Sequence, residues 1–165
     1  MHKRYDKENA SWYKLDNAAK LYPALKSAYR TNVFRVSVLL KEKVEPEILN
    51  EALKKVIPRF KGFQVRLHRG LFWYYMDHNY NTVKVIEDKG SPCKNMYFKK
   101  NGGFLFRVLY YERRISAEFF HSLTDGTGAI EFLKTLCAEY LSIKGYNIEK
   151  SKYILDIDDS PSKEE

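Results

Sequence analysis

A chain of 165 residues that is 44% hydrophobic and 15% aromatic can bury a core, which excludes a disordered or low-complexity polymer. Its net charge of +8 comes from scattered lysines and arginines with no long basic run, so it is read as a solubilising surface, and no nucleic-acid partner is expected. Cys93 and Cys137 lie far apart and form no CxxC pair, and no stretch has the apolar length of a membrane span; neither a disulfide framework, a metal site nor a membrane partner is expected.

Residues 1–11 are polar and charged, without the apolar segment of a signal peptide, and are read as a flexible arm on a soluble, cytoplasmic protein. Residues 12–29 are mixed, interrupted by Asp16, Asn17 and Pro23, and suggest a strand, a turn and a short helix. Phe34, Val36, Val38 and Leu40 then alternate with Arg35, Ser37, Leu39 and Lys41, the pattern of a strand with a buried face. Pro46 suits the first turn of a helix, and Ile48, Leu49, Ala52, Leu53, Val56, Ile57 and Phe60 follow at helical spacing, with Pro58 and Gly62 ending it.

Val65–His68 and Leu71–Tyr75 bracket Arg69 and Gly70 as a hairpin, and Val83–Ile86 is a further short strand. Residues 87–103, with Gly90, Pro92, Gly102 and Gly103, read as loop. A second hairpin runs from Phe104 to Tyr111 and from Ile115 to Phe120, turning near Glu112, Arg113 and Arg114. After His121–Gly128 comes an amphipathic helix carrying Ile130, Leu133, Leu136, Cys137, Tyr140 and Leu141, which closes near Gly145. The fold expected is α/β, a mixed and largely antiparallel sheet of about five or six strands with two main helices packed on one face. The domain division is an arm (1–11), one lobe (12–150) and an acidic linker or crossover (151–165).

The chemistry concentrates in His121-Ser122-Leu123-Thr124-Asp125-Gly126, where an apolar strand ends and a helix begins. A histidine at such a strand end is partly desolvated, which favours its neutral form, and a neutral imidazole is the best side-chain base near neutral pH. Asp125 falls at the helix start, where a carboxylate caps and meets the helix dipole, and Gly126 permits a tight turn. Adjacent strand residues face opposite ways, so Ser122 is not expected to form a dyad with His121. His68 and His78 read as surface residues, and the Phe72-Trp73-Tyr74-Tyr75 cluster reads as core and cover rather than a base-stacking platform.

These residues resemble the HxxxDG signature shared by chloramphenicol acetyltransferase, plant-type acyltransferases, condensation domains and bacterial alcohol-acetyltransferase-like proteins. The opening WYKLDNAAKLYP, the strand FRVSVLL, the helix EPEILNEALKKVIPRF and the hairpin VRLHRGLFWYY come in the order of the last of these groups. Phe120 stands where condensation domains usually carry a second histidine, which favours the alcohol-acetyltransferase-like comparison. The resemblance implies the N-terminal lobe of a two-lobed enzyme moving an acyl group, most simply acetyl, from acyl-CoA to a small alcohol or amine. It implies His121 as base, Asp125 as a loop anchor paired with an arginine (Arg35 or Arg107), and Gly126 at the turn. No cofactor is bound in that scheme; the acyl-CoA, acetyl-CoA in the simplest case, is a co-substrate, and the second lobe is the chief partner. A non-catalytic relative and a basic nucleic-acid-binding domain are the alternatives.

Overall fold

The computed structural model describes residues 31–69 and 74–148. The arm at 1–11, the elements expected over 12–29, and the tail at 151–165 lie outside the described residues, as do Phe72 and Trp73.

The alternating segment forms β1 (Val33–Leu39) and the Pro46 segment forms α1 (Pro46–Val56). Proline occupies the first turn of α1, where a backbone N–H would have no helical acceptor. The helix stops at Val56, earlier than its apolar spacing suggests, because Pro58 turns the next residues into a 3₁₀ segment, Ile57–Arg59. The strands β2 (Val65–Arg69) and β3 (Tyr74–His78) follow, then β4 (Val85–Glu87). A 3₁₀ turn at Phe98–Asn101 interrupts the expected loop. The second hairpin is β5 (Phe106–Tyr111) with β6 (Arg114–Phe120), and the last element is α2 (Gly126–Ile143). Gly145 follows α2 at φ 91°, the left-handed backbone that ends a helix readily only with glycine.

The main sheet has the order β1-β6-β5-β4. β1 and β5 both run antiparallel to β6, while β4 lies parallel to β5, so the sheet is mixed and largely antiparallel. The expected single sheet of five or six strands divides, among the described residues, into these four and the separate β2–β3 hairpin. One bridge, Arg66 to Phe104, links the hairpin to the residues just before β5, and Val65, Leu67 and Met76 pack with Val33, Leu105 and Phe120. Alternation reports which face of a strand is buried and not which strand lies beside it.

Both helices cover one face of the main sheet, as expected. Leu49, Ala52, Leu53 and Val56 of α1, and Phe132, Leu133, Leu136 and Tyr140 of α2, pack on Phe106, Val108, Ile115, Ala117 and Phe119. Removing each large side chain from water contributes roughly 1.5–3 kcal/mol. Phe63, Phe106, Phe119 and Phe132 form a continuous aromatic cluster with ring centroids 5.4–5.9 Å apart. Two polar links fix the helices: the Tyr140 hydroxyl accepts the Glu45 backbone N–H at 3.0 Å, and the Asn50 side-chain oxygen accepts the Val85 N–H at 3.0 Å. This packing holds the end of β6, through Phe119, against the first turns of α2, through Phe132.

Candidate functional site

His121 lies immediately beyond β6, and its side chain is exposed. Its backbone N–H donates to the Asn32 carbonyl at 2.8 Å, which extends the β1–β6 pairing past Val33 and Phe120. Its ring meets the ring of Phe34, centroids 4.9 Å apart and tilted by 50°. The imidazole is open to solvent on one side and carried by an aromatic ring on another.

Asp125 is the N-cap of α2. Its Oδ1 accepts the Gly128 backbone N–H at 3.0 Å, satisfying one of the helix's unpaired amides. The expected pairing with Arg35 or Arg107 does not form. Both arginines belong instead to the opposite face of the sheet, where they flank Glu118 across neighbouring strands. Arg35 Nε donates to Glu118 Oε1 at 2.7 Å, and Arg107 Nε donates to Glu118 Oε2 at 2.6 Å. Asp125 cannot compete, because β-strand alternation aims both guanidinium groups away from the helix side.

Glu118 is fully buried, and its Oε1 also accepts the Cys93 backbone N–H at 2.7 Å. Arg35 reaches on to Asp88 at 2.7 Å, and Arg114 donates to the same carboxylate at 3.1 Å. The hydrogen bond from Arg35 holds the Asp88 carboxyl below the usual carboxylate range, against the opposing effect of burial and with help from Arg114. For Arg35 itself burial opposes the charge, but the hydrogen bonds to Asp88 and Glu118 prevail and raise its pKa. Sequence reading passed over Glu118. The available signal was a glutamate in a strand flanked by apolar residues, with arginines in two other strands that also alternate with apolar neighbours.

Gly126 does not have the role expected of it. Its φ is not in the left-handed region, and a Cβ built there would meet nothing within 4 Å. The crowded glycine of the turn is Gly128, where a Cβ would collide with Thr124 Oγ1. The space beside Gly126 is open, and it adjoins the cap that carries Asp125. Ser122 Oγ is buried and makes no hydrogen bond, so no Ser–His dyad forms.

The remaining chemistry-bearing residues lie apart from this cluster. His68 stacks on Tyr75 at 5.3 Å, and His78 meets Tyr80 edge-on at 4.5 Å. Among the described residues no group of three or more possible ligands could hold a metal ion, and no helix is long and apolar enough to cross a membrane. Burial raises the Cys93 thiol pKa and pushes that of Cys137 up to about 12, so neither thiol is poised as a nucleophile. An open apolar groove of about 680 Å³ runs between β1 and α2, lined by Val36, Val38, Ile130, Leu133, Cys137 and Leu141. His121 does not line it.

No family model matches the sequence, and no curated protein matches it either. Solved structures do share the fold. The starter condensation domain of rhizomide synthetase RzmA, in a mutant form, superposes with a TM-score of 0.63 at 13% identity, over 84% of this chain and 40% of that one. Another mutant of the same domain, in complex with C8-CoA, gives a TM-score of 0.64 at 12% identity, over 80% of this chain and 36% of that one. The X-domain from teicoplanin biosynthesis gives 0.63 at 12% identity, over 90% and 36%. The chain therefore has the α/β fold of the N-terminal lobe of condensation domains, and spans about two fifths of those chains.

Proposed function

We propose that this chain is the N-terminal half of an acyltransferase that moves an acyl group from a coenzyme A thioester to a small alcohol or amine. The observation that carries the reading is the placement of His121. An exposed imidazole stands at the end of a rigid strand, beside an α2 N-terminus capped by Asp125 and an open space at Gly126. The fold shared with a domain solved in complex with C8-CoA makes a thioester the natural substrate class.

In this reading the acceptor binds with its O–H or N–H directed at an imidazole nitrogen of His121. The imidazole takes that proton as the acceptor oxygen or nitrogen bonds to the thioester carbonyl carbon. The carbon–sulfur bond then breaks, and the coenzyme A thiolate leaves and regains a proton, so His121 ends neutral. Asp125 keeps the loop from His121 to α2 in place through the Gly128 amide and does not touch the reacting atoms. The activated thioester needs no metal ion and no bound cofactor. Acetyl is the simplest acyl group.

The rest of the site comes from the second lobe in this scheme, so the 165-residue chain alone turns over slowly or not at all. The test is release of free coenzyme A thiol by the full-length protein from acetyl-CoA and octanoyl-CoA, with and without a panel of small alcohols and amines. Acceptor-dependent release supports the reading. A protein that binds acyl-CoA yet releases no thiol with any acceptor is a non-catalytic relative of the same fold.

A further inference from the structure

We infer that Phe34 and Asn32 are positioning residues for the His121 imidazole, an inference whose catalytic meaning rests on the reading of His121 as base. A solvent-exposed histidine beyond the end of a strand would ordinarily sample several staggered rotamers. A base must instead hold its nitrogen within hydrogen-bonding reach of one proton. Two contacts, both from β1 and the residue before it, supply that restraint.

The first is backbone. Asn32 sits at φ 44°, a left-handed conformation that most non-glycine residues avoid and asparagine tolerates. Its carbonyl accepts the His121 N–H at 2.8 Å, one step beyond the last cross-strand pair, Val33 with Phe120. The main chain at His121 is thereby held as though β6 continued for one more residue.

The second is aromatic. Phe34 stacks on the fully buried Phe119 at 5.8 Å and 29°, and its ring also meets the His121 ring at 4.9 Å. Phe119 is in turn edge-on to Phe132 at the start of α2. The imidazole thus rests on a ring that is itself fixed by the core, and the same core joins β6 to the helix that Asp125 caps. A histidine exposed to its reactants but supported in this way keeps its orientation without losing access.

The test is proton NMR of the ring protons of the four histidines in the 165-residue chain. The Phe34 ring current displaces the His121 ring resonances. Phe34→Leu should remove that displacement, Phe34→Tyr should restore it, and His68 and His78, each beside its own tyrosine, should not move. Cross-relaxation between the Phe34 and His121 rings should be visible in the unaltered chain, which covers the case in which Phe34→Leu fails to fold. Asn32→Gly should leave hydrogen exchange of the His121 amide slow, whereas Asn32→Val should speed it. Unchanged His121 resonances in folded Phe34→Leu, or no cross-relaxation between the two rings, would overturn the inference. In the full-length protein Phe34→Leu should lower kcat by roughly 10- to 100-fold with little change in KM, as expected for a misplaced catalytic group. If the resonances respond as described and kcat does not, the positioning stands and the base assignment fails.

Discussion

Asp125 and Gly128 are joined by a 3.0 Å hydrogen bond from the backbone amide to the carboxylate, and this bond, not an arginine, anchors the loop after His121. The two arrangements differ in energy. A helix cap lost to alanine costs about 0.5–2 kcal/mol, whereas one member of a buried ion pair costs about 3–5 kcal/mol. Asp125→Ala should fall in the smaller range by denaturant titration, and Asp125→Asn, which keeps a capping oxygen, should lose little.

The two glycines of the loop should respond in opposite directions. Gly126→Ala meets open space in an ordinary backbone conformation, so it should be neutral or raise stability by about 0.4–1 kcal/mol. Gly128→Ala brings a methyl into collision with Thr124 Oγ1 and should destabilise the chain. Thr124→Ala in the same chain should recover most of that loss. A Gly128→Ala variant that melts with the parent would show that Thr124 yields without cost.

On the opposite face, Glu118 is fully buried between Arg35 and Arg107. Glu118→Ala leaves two arginines facing each other across one strand and should cost about 3–5 kcal/mol by chemical denaturation. Replacing Arg35, Glu118 and Arg107 together with apolar residues of similar volume should cost less, because the one charge that then loses a partner, Asp88, keeps Arg114 at 3.1 Å. Equal losses in the single and triple variants would argue against a charge-based account.

Acid should weaken the same network. Because the Asp88 carboxyl is held below its ordinary range, its ionised form adds stability that is fully present above the ordinary aspartate pKa of about 3.9. That stability is lost as pH falls through the lowered value in the folded state. Thermal melts from pH 5 downward should therefore fall more steeply for the parent than for Asp88→Asn, and parallel curves would contradict the prediction.

The groove between β1 and α2 leaves Ile130 45% exposed, and Leu39 at the end of β1 is 68% exposed. Exposed apolar surface favours association. The 165-residue chain should self-associate in sedimentation experiments as its concentration rises. A monodisperse monomer at high concentration would show that this surface needs no covering partner.

Much of the fold was legible because it is written at short range. The period of two in Phe34–Leu40 and Ile115–Phe120, Pro46 ahead of a helical repeat, and the apolar face of α2 each declare one element and its buried side. What could not be read is which elements meet. The separation of β2–β3 from the main sheet depends on partners rather than on alternation. The row Arg35, Glu118 and Arg107 exists only because register brings three strands level. The same limit explains the site: His121 and Asp125 stood out by spacing, but the true partner of Asp125 is a backbone amide three residues on. Gly128, which looks like a second copy of Gly126 in sequence, differs from it in bonding the Asp125 carboxylate and in lying against the Thr124 side chain.

Turnover of His121→Ala in the full-length protein, with a confirmed acyl-CoA and acceptor, tests the role of His121 as base directly. An alcohol attacks a thioester quickly only if a base removes its proton as the new bond forms, and a positioned base contributes about 10²–10⁴ in rate. His121→Ala should lower kcat by that order with acyl-CoA affinity little changed, and His68→Ala and His78→Ala should keep near-normal turnover. Turnover in His121→Ala close to that of the parent would contradict that role and leave the loop from His121 to Gly128 as a structural turn alone.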